Sequence, residues 1–75
     1  MSYYETPRQV LHALILAIRH DAKRARIRAM LADSARNQRL SDLVRADNRA
    51  ACEILEYVDK MFDLCNYQPE PGESP

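Results

Sequence analysis

Glycine occurs once, at position 72, and tryptophan does not occur. A single glycine leaves too few turn residues for a many-stranded β fold. It also excludes a glycine-rich loop that could cradle a phosphate. Histidine and cysteine are nearly as scarce, with two of each. His12 and His20 stand eight residues apart, and no His-x-x-x-His, Cys-x-x-Cys or Glu-x-x-His pair occurs. No recognisable metal-ligand set follows from that spacing. Cys52 has no histidine near it in sequence that could act as its base. The expectation is therefore a protein that is not an enzyme, with no catalytic residue, metal ligand or cofactor.

Long apolar runs are also missing. Val10 to Ile18 is interrupted by His12 and falls well short of the ~20 residues that span a bilayer. It lacks the basic flank and small-residue cleavage site of a secretory signal. A cytoplasmic protein with no membrane contact is expected. Cys52 and Cys65 fit a reducing compartment. They are 13 residues apart, about 20 Å along one helix, whereas a disulfide needs Cα atoms within about 7 Å. Both are expected to be free thiols. Net charge is absent too, since 11 basic residues meet 11 acids, which weakens any long-range electrostatic pull on a ligand.

What the chain does hold is helix-forming material. Seventy-five residues with 47% hydrophobic and 29% charged content make one small globular domain. A chain this short buries only about 60% of its unfolded surface, so pairing of two copies is expected to complete the core. Alanine, leucine, arginine and glutamate dominate, all good helix formers. Thr6-Pro7-Arg8-Gln9 reads as a helix start. Threonine caps, proline suits the first helical position, and Gln9 completes a capping box.

Beyond it, Leu11, Ile15, Ile18, Ala22, Ala25, Ala29 and Ala32 recur at alternating four and three, the spacing of a helix-packing seam. This predicts one helix over residues 7–32. Asp33-Ser34 and Ser41-Asp42 are the candidate breaks. A second helix follows, starting at 34 or 41 and ending at 65. Its seam reads 40, 44, 47, 51, 54, 58, 61, 65, inside a stripe too wide for one partner helix. The expected fold is all-α, an antiparallel helical hairpin of two long helices. A short third segment at the bend is the alternative, and two hairpins pair as a four-helix homodimer. Residues 1–65 form the domain. Residues 66–75, with three prolines, read as a disordered tail.

The charge is unevenly spread. From Arg19 to Arg49 nine basic residues meet four acids. From Ala50 to Pro75 only Lys60 stands against six acids. Asp47, an acid in the second seam, is expected to pair with Arg19 or Lys23 and set the hairpin register. Leu16, Ile27, Met30 and Leu31 form a weaker apolar stripe beside the basic side of the first helix. Apolar groups among arginines suit a protein interface. The candidate partner-binding residues are Arg19, Lys23, Arg24, Ile27, Arg28 and Met30. The sequence thus points to a small interaction module, a stoichiometric regulator, inhibitor or adaptor of a larger bacterial protein with an acidic surface. Its size would suit a phage or mobile element. The alternative is an RNA- or DNA-binding hairpin that grips phosphate with the same arginines.

Overall fold

A computed structural model describes residues 4–64. Cys65 and the tail read as disordered lie outside the described residues. The protein is all-helical, with α1 at Pro7–Arg19, α2 at Asp21–Ala35 and α3 at Asp42–Leu64. Each helix packs against the other two. The single helix expected over 7–32 is two helices, and the second of them runs on through Asp33 and Ser34 to Ala35.

α1 begins where its cap predicts. Gln9 N–H donates to Thr6 Oγ1 at 3.2 Å, and Gln9 Oε1 accepts from the N–H groups of Thr6 and Glu5 at 3.1 and 2.8 Å. Three donors at or just ahead of the helix N-terminus are satisfied by two side chains. α1 ends without glycine or proline. His20 takes an extended backbone (φ −127°, ψ 96°), yet its N–H still reaches Leu16 O and its carbonyl accepts from Lys23 N–H. One residue therefore closes α1 and opens α2.

The α2–α3 connection uses local hydrogen bonds. Arg36 and Asn37 N–H donate to Asp33 and Ser34 carbonyls, and Asn37 Oδ1 accepts from Arg39 N–H, a side-chain turn of the kind asparagine favours. Ser41 Oγ then accepts from Val44 N–H at 3.2 Å and caps α3. The later of the two candidate breaks is the one that starts the last helix.

Cross-helix contacts give the helix directions. Arg24 and Arg28, early in α2, meet Asp59 late in α3, so α2 and α3 run in opposite senses. Tyr4, just ahead of α1, accepts a hydrogen bond from Asn48 early in α3. The end of α1 meets Arg24, which also holds Asp59. α1 therefore runs with α3 and against α2.

The core is Val10, Ala13 and Ala17 from α1, Ile27 and Leu31 from α2, and Ala51 and Leu55 from α3. Val44 is buried on the same side of α3. The small alanines of α1 let the helices approach closely. This core overturns the seam read along the first helix. Leu11, Ile15, Ile18, Ala22, Ala25 and Ala29 are exposed. The buried line of α2 is instead Arg24, Ile27, Leu31 and Ser34, two residues out of phase with the alanines, or about 200° round the helix. On α3 the buried line is Val44, Asn48, Ala51 and Leu55, one residue beyond Asp47 and Ile54 at alternate positions.

Asn48 is fully buried. Its amide nitrogen donates to Tyr4 O and Val44 O at 3.2 and 2.9 Å, while Oδ1 has no hydrogen-bond partner among the described residues. The ion pair expected between Asp47 and Arg19 or Lys23 is not formed, and the acid of α3 that pairs with α2 is Asp59. Among the described residues Asp47 makes no ion pair.

Candidate functional site at the α1–α2 junction

The site is built around one buried cation. Arg24 is only 6% exposed, an arrangement that charge pairing and hydrogen bonding must offset. Its Nε donates to Asp59 Oδ1 at 2.7 Å and its Nη2 to Asp21 Oδ1 at 2.7 Å. Nη1 reaches the carbonyls of Ala17 and Ile18 at 3.3 and 3.4 Å. Those carbonyls belong to the last turn of α1, which lacks intrahelical partners. Arg24 thus caps α1 with a positive charge, at the end of the helix dipole that favours one. Asp21, in the first turn of α2, sits at the dipole end that favours an acid. The Arg24 guanidinium also lies over the Phe62 ring, 4.7 Å from its centroid, in cation–π geometry. One side chain ties together all three helices.

Burial pulls the Arg24 pKa down, but the hydrogen bonds to Asp59 and Asp21, with the charges behind them, leave it above its ordinary value. Arg28 adds Nη1 to Asp59 Oδ2 at 2.6 Å, so Asp59 is held through both oxygens. Nearby, Cys52 Sγ lies 3.5 Å from Arg28 O. Burial and the charge of Glu56 push the Cys52 thiol up, against the opposing pull of Arg28 and Arg36. That favours the neutral thiol over the reactive thiolate.

Outside this network a recess of about 300 Å³ opens at the junction. It is lined by Ile18, Arg19, His20, Asp21, Ala22, Lys23 and Phe62. Arg19, His20 and Lys23 are exposed, and Arg19 and Lys23 bring positive charge to it. Ile18, Ala22 and Phe62 supply apolar surface.

The six residues expected to contact a partner divide accordingly. Arg19 and Lys23 stand exposed on the recess. Arg28 and Met30 are half-buried, with Arg28 engaged by Asp59. Arg24 and Ile27 are buried and cannot touch a partner, because the buried line of α2 passes through them. The recess also uses Ile18, His20, Asp21, Ala22 and Phe62, which sequence reasoning did not select. One signal was present. Asp59 and Phe62 are three apart and share a face of α3, an acid beside an aromatic ring that suits a buried arginine.

Among the described residues there is no group of His, Cys, Asp and Glu able to hold a metal ion, and no helix is long and apolar enough to cross a membrane. Comparison with protein families, with curated proteins and with solved structures found no match.

Proposed function

We propose that this chain is a small helical interaction module. It acts stoichiometrically on a larger bacterial protein, as a regulator, inhibitor or adaptor, and works as a pair of identical copies. The observation that carries the reading is the junction recess, lined by apolar Ile18, Ala22 and Phe62, by the cations Arg19 and Lys23, by His20, and by Asp21, whose charge Arg24 already meets. Such a site suits an acidic protein segment that inserts one apolar side chain, since interface anchors are apolar groups in pockets with charge at the rim. The recess walls are rigidly placed, because Arg24 ties the end of α1, the start of α2 and the end of α3 together. A preorganised pocket loses less entropy on binding.

The same geometry weighs against a phosphate grip. Arg24 and Arg28 already hold Asp21 and Asp59, so the cationic patch is smaller than the arginine count suggests. Phosphate contacts made in their place would leave partly buried carboxylates unpaired.

The test is a tagged pull-down from nuclease-treated bacterial lysate. A protein partner should be retained by the parent and lost from Arg19→Glu/Lys23→Glu, with helical circular dichroism unchanged. Disappearance of every partner on nuclease treatment would sink the reading in favour of nucleic-acid binding.

A further inference from the structure

α3 carries two apolar lines. The buried line, Val44, Asn48, Ala51 and Leu55, faces the other helices. The second line steps Leu43, Asp47, Ala50, Ile54, Tyr57, Met61 and Leu64, alternating four and three over the whole helix. It faces outward. Leu64 is 71% exposed, Leu43 65% and Tyr57 63%, with Ile54 and Met61 also exposed. On α1, Leu11, Ile15 and Ile18 follow the same four-three step and are exposed.

These two stripes lie on one side of the molecule. On α3, Cys52 and Asp59 mark the flank that faces α2. The outward line lies on the opposite flank, where α1 packs. On α1 Leu11 and Ile18 sit one residue past the buried Val10 and Ala17, and Ile15 two past Ala13, on average roughly 130° round a right-handed helix. Because α1 runs with α3, that offset turns the stripe toward the outward line of α3.

Seven large apolar side chains share this face, Leu11 and Ile15 with Leu43, Ile54, Tyr57, Met61 and Leu64, while Ile18 lies where the stripe meets the junction recess. Their exposed portions amount to roughly four whole side chains, on the order of 800 Å². Monomers leave a few hundred Å² in one apolar patch, and one partner of a stable complex contributes about 800 Å². A spacing of four and three is also the knobs-into-holes pattern, which asks for another helix.

The edge of the stripe identifies that helix. Glu53 and Lys60, both exposed, stand immediately before Ile54 and Met61 on its outer margin. We infer that the α1–α3 face is covered by a second copy of this chain, with α3 antiparallel to α3 about a two-fold axis near Glu56. Under that symmetry Glu53 of each copy lies opposite Lys60 of the other, and Ile54 opposite Tyr57. A parallel pairing brings Glu53 level with Glu53 and Lys60 with Lys60, and gains nothing from these charges. The margin is thus self-complementary in one orientation, as an isologous interface requires. A net charge of zero adds no repulsion between copies. The inference rests on the pairing proposed above and assigns it a surface and a symmetry.

Sedimentation equilibrium of the full chain should give twice 8.7 kDa. Tyr57→Glu, at a position exposed in the single copy, should raise the dissociation constant at least a hundredfold and leave the helical signal intact. Glu53→Lys should weaken pairing severalfold, and adding Lys60→Glu to it should restore the parent affinity. A mass of 8.7 kDa at all concentrations overturns both the pairing and its surface. A dimer indifferent to Tyr57→Glu and to the charge swap overturns the surface alone. Pairing that appears only after removal of residues 65–75 shows the tail to be the occupant, and also overturns it. The recess variants Arg19→Glu/Lys23→Glu should leave the mass unchanged, so failure of partner capture and failure of pairing are read separately.

Discussion

Arg24 joins all three helices through one side chain. It meets two acids, two helix-terminal carbonyls and an aromatic face. Replacing it with methionine keeps the stem and removes the fork. Asp21 and Asp59 would lose a partly buried cation and the last turn of α1 would lose its cap. The expected cost is about 2–4 kcal/mol in a urea denaturation experiment, a large share of the ~4–11 kcal/mol typical of a chain this size. Arg24→Lys should recover less than half, because a point charge cannot serve several acceptors with planar geometry. Arg28 holds the same Asp59, yet its side chain and that of Asp59 are each over a third exposed. Arg28→Ala should therefore cost under about 1 kcal/mol. The Arg24 pKa is raised, so its contribution is present below the unfolded value. It is lost only as pH rises through the still higher folded one, and mild alkali should leave it intact.

The helices differ in how much of their stability is local. α1 carries a complete capping box. Thr6→Ala should cost about 1 kcal/mol, read from the denaturation midpoint. Combining it with Gln9→Ala should cost less than the two single losses added, because the two side chains form one hydrogen-bonded unit. α2 has no side-chain bond at its own N-cap, His20. Its apolar line in sequence is not the side it buries either, since Arg24 and Ser34 face inward while Ala22, Ala25 and Ala29 face out. Its position depends on tertiary contacts with Asp59 and Phe62. α3 is long and capped by Ser41, and it provides the surface against which both other helices pack.

At the scale of the whole molecule, the core holds few large side chains. Leu31 and Leu55 are its largest fully buried apolar residues, while seven comparable ones stay on the α1–α3 face. The pairing proposed above would cover that divided apolar surface. The thermal midpoint should therefore rise by several degrees over a hundredfold increase in protein concentration, as mass action requires of a folded state that pairs. Tyr57→Glu should flatten that dependence. A midpoint independent of concentration in the parent would count against pairing.

The all-helical class and the start of α1 at its capping box were legible in the sequence, while the start of the last helix was narrowed only to two candidate breaks, of which Ser41-Asp42 is the one used. These depend on near neighbours, namely intrinsic propensity and side chains three or four residues away. The width of the apolar stripe on α3 was legible too. What tertiary structure decided was phase. Leu43–Tyr57–Leu64 and Val44–Leu55 are both acceptable seams by spacing, and only packing against α1 and α2 selected the second. The alanine line of α2 looked like a seam because alanine is apolar. Alanine has little surface to bury, so it yielded to Ile27 and Leu31 and carried Arg24 inward with them. The break at His20 had no glycine or proline to announce it. It exists because Arg24, four residues on, completes the end of α1 while Asp59 and Phe62, more than thirty residues away, complete Arg24.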